Sequence, residues 1–181
     1  NAFPRLQVKR GEEVKRRICT TGVNLMSKFY GLSVKMVYKL TWPFTGLILH
    51  NSNRVRVYVV SEGKLLLQKT SYSSQNWSLP GGGIDRKEPP ILAAKRELAE
   101  ETGLIIDQSQ FKEIGHARVP LDSRSWPVMN ITYYEVKLPK IQKVRTPRPI
   151  EIINIGWFDL IKLPSNISQN VRVAQKLLGD K

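Results

Sequence analysis

The stretch GGIDRKEPPILAAKRELAEETGL, Gly82 to Leu104, sets three glutamates and an arginine close together on a segment that otherwise reads as a helix with a buried face. Pro at the opening and Gly103 just past the end predict a helix over roughly Pro89 to Thr102. Pro suits a first helical turn, and Gly takes the residue that ends one. At 100° per residue, Glu97, Glu100 and Glu101 fall within an arc of roughly 100°, while Ile91, Ala94 and Leu98 occupy a different face. The carboxylates therefore converge on one patch, and the apolar side chains can pack underneath. Arg96 stands four residues before Glu100, so an i,i+4 pair forms there, but one arginine cannot neutralise three glutamates. A solvated acidic face is the ordinary reading of such a cluster. Two features argue for a binding site instead. The rest of the chain is strongly basic, so acid concentrated here creates a field opposite to its surroundings. The run Gly81-Gly82-Gly83 lies just upstream, where backbone carbonyls can approach a ligand without side-chain obstruction. Carboxylates and a carbonyl, with room for water and phosphate oxygens, are the hard ligand set that Mg²⁺ prefers.

The whole chain of 181 residues suits one ordinary domain with an appendage. A hydrophobic share of 41% and a charged share of 24% are those of a soluble globular protein. The unusual quantity is a net charge of +14, which favours polyanionic partners: nucleotides, nucleic acid or an anionic lipid surface. Cys19 is the only cysteine, which excludes an intrachain disulfide and a thiolate metal cluster and makes a reducing compartment the expectation. The longest apolar run, Phe29 to Leu49, is interrupted by Lys35 and Lys39 and is not a membrane span. The chain opens on Asn1 without a signal-peptide pattern, so a cytoplasmic location is expected.

Residues 1–45 differ from the remainder. They hold nine Lys/Arg against two acids, half of the total charge in a quarter of the length. Val14, Ile18, Leu25, Phe29, Leu32, Met36 and Leu40 recur at helical spacing, which predicts one or two amphipathic helices ending before Trp42-Pro43. A short apolar strand and the turn His50 to Asn53 follow. From Arg54 the period changes to two: Val55, Val57 and Val59 alternate with Arg54, Arg56 and Tyr58, as in a strand with one wetter face. A hairpin through Glu62-Gly63 leads into a second strand. Trp77 to Gly83 reads as a third, short strand running into the glycine turn. Strands near 111–118, 129–138 and 150–158 come later. A closing helix near 166–178 carries Ile167, Val171, Ala174 and Leu178 on one face. The order β-β-β-α-β-β-β-α predicts an α/β fold, a mixed sheet packed between helices.

Written by spacing, the opening stretch is Gly82, five residues, Glu88, seven residues, Arg96-Glu97-Leu98, one residue, Glu100-Glu101, one residue, Gly103-Leu104. This resembles throughout the signature of the Nudix hydrolase superfamily, G-x5-E-x7-R-E-U-x-E-E-x-G-U with U aliphatic. WSLPGG before it and IGWFDLIKLP after it look like further landmarks, so the resemblance extends over about residues 46–181 and leaves 1–45 as a basic helical extension. It implies a Nudix-type α/β/α sandwich that cleaves a diphosphate linkage within a nucleoside diphosphate joined to a group X. It implies that Glu97, Glu100 and Glu101 hold Mg²⁺ or Mn²⁺, with the Gly82 carbonyl as a further ligand. Arg96 would orient the neighbouring glutamate, Glu97 or Glu101 would take the proton, and Glu88, Gly81 and Gly83 would support the loop. Family members often add an acid from a later loop; Glu151, before the strand containing Trp157, is the candidate here. Small nucleotides (nucleoside triphosphates, nucleotide sugars, dinucleoside polyphosphates) lead as substrates. Removal of diphosphate from RNA 5′ ends, motivated by the charge, is the alternative. A non-catalytic sensor on the same fold is a third reading, weakened because every acid of the signature is in place.

Other residues read as structural. His50 and His116 lack a carboxylate or Cys at ligand spacing, Cys19 reads as a small packed residue, and Trp77 as packing beneath the site. Tyr133, Tyr134 and Trp126 can equally flank a purine or sit in the core. Loops 115–127 and 139–150 are the expected seats of specificity. Three readings of residues 1–45 stay open: an appendage that covers the domain or builds a homodimer, a peripheral anchor on anionic membrane, and an RNA contact.

Overall fold

The computed structural model describes residues 50–71, 76–120 and 127–179. The expected helices of 1–45, Cys19, the strand before His50 and Trp126 lie outside them. Strands β1 (Asn53–Ser61) and β2 (Lys64–Thr70) form the expected hairpin. Its two turn residues, Glu62 and Gly63, both take positive φ, +48° and +71°, the backbone a tight two-residue hairpin requires. Helix α1 (Pro90–Thr102), β3 (Lys112–Pro120), β4 (Val128–Leu138), β5 (Ile152–Asp159) and helix α2 (Gln169–Leu178) follow. The five strands make one mixed sheet in the order β3-β4-β1-β2-β5. β1 runs parallel to β4 from Asn53↔Asn130 to Ser61↔Leu138, and the remaining pairings are antiparallel.

The two helices cover opposite faces. Ala93, Ala94 and Leu98 of α1 pack on Val55, Val57, Val59, Leu66, Tyr134 and Val136. Val171 and Ala174 of α2 pack on Tyr58, Leu65, Leu67, Met129, Ile131 and Tyr133. The expected wetter face of β1 is present at the half-buried Arg54 and Arg56, against Val55, Val57 and Val59 at 0% exposure, but it fails at Tyr58, which is 2% exposed. β1 is the central strand of the five, so both of its faces are covered. α2 starts at Gln169 rather than near 166 because residues 166–168 are held extended against Trp77, through Trp77 N–H to Asn166 O at 2.8 Å and Ser168 N–H to Trp77 O at 2.7 Å.

The expected third strand is also corrected. β1 and β2 pair only next to their turn, at Val60↔Leu65 and Ser61↔Lys64, and then part. The chain from Ser78 to Gly83 lies in the gap. Val57 N–H donates to Pro80 O at 2.9 Å, Val55 N–H to Gly82 O at 3.0 Å, and Gln68 exchanges two 2.9 Å bonds with Ser78. Pro80 has no N–H to give and the glycines lack strand preference, so the segment forms isolated bridges and no regular strand. It brings the glycine run beneath α1. No helix of the described residues is long and apolar enough to cross a membrane.

Candidate active site

α1 begins at Pro90 after an extended Pro89 and ends at Gly103, φ +74°, whose N–H returns to Ala99 O. Between these ends Leu98 anchors the helix, and the flanking residues on the same turns are acids. Glu97 and Glu101 are 7% and 2% exposed, so the helix buries two carboxylates along with its apolar side chains. Each is met from below by a glycine. Glu101 Oε2 accepts from Gly81 N–H at 2.6 Å. Gly81 has φ +132°, and a Cβ there would come within 2.3 Å of Val55 O, so only glycine passes under the helix at this point. At Gly82 a Cβ would stand 2.4 Å from Glu97 Oε1. The glycines therefore make room for carboxylates as much as for a ligand. The Gly82 carbonyl spends one lone pair on Val55 N–H, and the Gly83 carbonyl accepts from Arg96 Nη2 at 3.1 Å.

Arg96 is the hub. It binds Glu88 through two bonds of 2.9 Å, Nε to Oε1 and Nη2 to Oε2. Its Nη1 donates to Glu97 Oε1 at 2.8 Å and to Glu100 Oε2 at 3.4 Å. Glu88 also accepts from Asp85 N–H at 3.0 Å, which closes the loop ahead of the helix. The bidentate guanidinium pulls the Glu88 pKa down to about 2, and the same pairing raises that of Arg96. Glu101 goes the other way. Burial pushes its carboxyl up to about 7, against the opposing pull of the Arg56 guanidinium, the Gly81 amide and a hydrogen bond from Gln68.

Two arginines complete the site, and neither was singled out from the sequence. Arg148, from the loop between β4 and β5, donates through Nη2 to Glu100 Oε2; its Nη1 lies 3.9 Å from Glu97 Oε2 and donates to Glu151 Oε2 at 3.3 Å. The excess negative charge of the cluster is thus met from the far end of the sequence. Glu151, just ahead of β5, joins the cluster through Arg148. Arg56 is half-buried on β1, and its Nε is buried without a hydrogen-bond partner among the described residues. It faces the same carboxylate as Gly81 does.

Oxygen-only donors on one turn and a half of helix, with a glycine beneath, fit a hard divalent cation. Among the described residues, however, no three acidic, His or Cys groups already converge as a metal cage. Glu101 is held by an amide, and Glu97 and Glu100 by guanidinium groups. A cation at this place has to take carboxylate oxygens from Arg96 and Arg148.

Several residues outside the cluster are structural. Tyr133 donates from its hydroxyl to Asn170 Oδ1 of α2 at 3.2 Å, and Tyr134 packs edge-on against Phe111; both are buried, so neither flanks a base. Trp77 packs edge-on against Phe158, with ring centroids 4.4 Å apart, and carries Lys69 Nζ over its ring. His116 does have a carboxylate at hand, which corrects the expectation: its Nε2 lies 2.8 Å from Glu113 Oε1, three residues earlier across the register shift between Glu113 and Gly115. Of the two expected specificity loops, residues 115–120 belong to β3, whereas 139–150 is irregular and delivers Arg148.

This arrangement matches known proteins. Residues 50–177 fit the NUDIX domain family, and the chain belongs to it. The m7GpppN-mRNA hydrolase dcap-2 of Caenorhabditis elegans is 32% identical over 130 residues, covering 71% of this chain and 15% of that protein. An RNA pyrophosphohydrolase of Bartonella henselae is 37% identical over 59 residues, 33% of this chain and 34% of that one. The chain thus spans well under half the length of the curated relatives it matches. Among solved structures, a MutT NUDIX hydrolase of Burkholderia pseudomallei superposes with a TM-score of 0.63 over 71% of this chain and 98% of its own, at 24% identity. That likeness concerns the fold.

Proposed function

We propose that this protein hydrolyses a diphosphate linkage at the 5′ end of RNA with the help of Mg²⁺ or Mn²⁺. The observation that supports the chemistry is the Arg96 hub, which gathers Glu88, Glu97 and Glu100 beside a buried Glu101 at the glycine turn. A diphosphate resists attack because its own charge repels a nucleophile. Glu97, Glu100 and Glu101 would hold a divalent cation, which when bound would supply neutralisation of the diphosphate charge. The chain's own residues do the rest. Arg96 fixes the carboxylates in one orientation, and Glu88 fixes Arg96. Arg148 brings a guanidinium that can pair with phosphate oxygens, and Arg56 sets a positive charge facing Glu101. Glu97, Glu101 and Glu151 are the groups that can accept the proton.

RNA is favoured over small nucleotides by two supports. Relatives that align with this chain carry names of enzymes acting on RNA 5′ ends, and a charge of +14 suits a polyanion more than a single nucleotide. The basic segment 1–45 adds to that attraction. The test is release of phosphate or diphosphate from 5′-triphosphorylated and capped RNA beside a panel of nucleoside triphosphates, nucleotide sugars and dinucleoside polyphosphates. The expected result is a higher kcat/KM on RNA that falls steeply with salt. Turnover of small nucleotides alone overturns the RNA reading, and no turnover of anything in Mg²⁺ or Mn²⁺ overturns the catalytic one.

A further inference from the structure

The loop from Gly83 to Pro90 has two sides. One hands Glu88 to Arg96 and the carboxylates. The other forms, with β1, β3 and β4, a cleft of about 630 Å³ that the chemistry above leaves unused. Arg86 and Lys87 line it from the loop, Arg118 from β3, and Asn53 and Asn130 from the paired ends of β1 and β4. Asn130 is the register partner of both Asn53 and Arg118, so these three side chains lie abreast on one face of the sheet. Arg118 Nη2 donates to the neutral Asn51 Oδ1 at 3.1 Å, which holds the guanidinium without cancelling its charge. Two acids also line the cleft, Glu88, which is bound by Arg96, and the exposed Asp85, 4.0 Å from the same guanidinium; they are outnumbered by Arg86, Lys87 and Arg118, and Glu113 faces His116. The balance in the cleft therefore stays positive. Among the described residues no Phe, Tyr or Trp lines it, and its one ring, His116, is paired with Glu113. Guanidinium, ammonium and carboxamide groups instead suit phosphates and sugar hydroxyls. Being concave, the cleft does not fit a flat lipid surface.

We propose that this cleft is a second anchor for the RNA strand, taking backbone phosphates and riboses of nucleotides that follow the 5′ end. It rests on the reading of the chain as an enzyme of RNA 5′ ends. The path is short, because one residue, Glu88, lines the cleft and touches the arginine that holds the carboxylates. Recognition here is independent of sequence, since it reads the backbone and not base edges.

The test uses the full chain and a single-stranded 5′-hydroxyl RNA, which cannot be cleaved, with affinity measured across a salt series. A variant carrying Arg86→Ala, Lys87→Ala and Arg118→Ala is compared with one carrying Lys162→Ala, Arg172→Ala and Lys176→Ala. The second set loses the same charge at exposed positions on or near α2. The cleft variant is expected to bind about tenfold more weakly, and the slope of log affinity against log salt to shrink by about 2, for three lost phosphate contacts. The control variant is expected to change much less. Equal weakening of both variants, or wild-type binding by the cleft variant, overturns the proposal. With 5′-triphosphorylated RNA, KM should rise in the cleft variant far more than KM for a nucleoside triphosphate. Equal rises make the cleft part of the catalytic centre and also overturn it. A wild-type chain that cleaves no RNA yet shows the binding difference removes the proposed reaction and supports the cleft, so the two failures are distinguishable.

Discussion

The two helices cover the same sheet from opposite sides, yet they bury different things. α2 rests on Val171 and Ala174, and its one buried polar residue, Asn170, accepts from the Tyr133 hydroxyl. α1 rests on Ala93, Ala94 and Leu98 and also buries Glu97 and Glu101. Burying a carboxylate costs free energy unless its oxygens find partners. α1 meets that cost with a glycine amide and with arginines from its own turn and from a distant loop. α2 needs no such apparatus. A helix that does only packing is simple; one that carries such apparatus is organised around the place where its acids meet.

Substitutions on the two helices should therefore separate activity from stability. Glu100→Gln and Glu101→Gln are expected to lower kcat by more than roughly the hundredfold typical of outer partners of a metal site, while the protein stays folded. Val171→Ala on α2 should cost about 1–3 kcal/mol in a urea titration, through lost burial and a small cavity, with kcat unchanged wherever the protein is folded. A loss of activity from the α2 variant equal to that from the glutamate variants would erase the distinction. Next in size, Gly82→Ala places a methyl group 2.4 Å from Glu97 Oε1 and forces the carboxylate aside. We expect kcat to fall about tenfold or more with only a modest loss of stability, measured by steady-state kinetics and thermal unfolding.

Within α1's neighbourhood two carboxylates should titrate in opposite senses. Glu88 is held down at about 2 by Arg96, so it adds stability above its ordinary value near 4.5 and loses it as pH falls towards 2. Glu88→Gln should thus destabilise at pH 7 and have little effect at pH 2. Glu101 is held up at about 7 by burial, so its contribution is full below its ordinary value near 4.5 and is lost as pH rises through 7. In metal-free protein at pH 8, Glu101→Gln should stabilise by about 1–3 kcal/mol, with little change at pH 4. Urea midpoints across pH measure both. The smallest effect expected is at Arg148. Removing it frees Glu100 from a competing guanidinium, so Arg148→Ala should lower the metal concentration for half-maximal activity by about a few fold. An unchanged requirement would mean that the guanidinium does not contend with the cation.

Much of α1 and its acidic patch is legible in the sequence because every signal is local: the proline at its start, Gly103 at its end, and a helical period that puts three glutamates on one arc. The hairpin through Glu62-Gly63 and the packing face of α2 are local too. What escapes is set by tertiary placement. Nothing in the alternation of Val55, Val57 and Val59 tells that β1 is central, so the burial of Tyr58 on the opposite face was not foreseen. The segment Trp77 to Gly83 carries strand-like residues, but its role as a wedge between β1 and β2 depends on where those strands part. Arg148 sits 48 residues from Glu100 in a loop whose sequence shows only charge and proline, and it becomes part of the site only when β5 is paired with β2. Arg56 likewise meets Glu101 only once the Pro90–Thr102 helix is packed on β1.

The central claim is that the carboxylates of α1 gather a divalent cation. Titration of Mn²⁺ into the full chain, followed by the loss of the free-ion signal in electron paramagnetic resonance, tests it most directly. The account predicts saturable binding to the wild-type chain, with the sites lost or strongly weakened in Glu97→Gln, Glu100→Gln and Glu101→Gln and retained in Val171→Ala. Binding of equal strength in the glutamate variants, or none in the wild type, would contradict it.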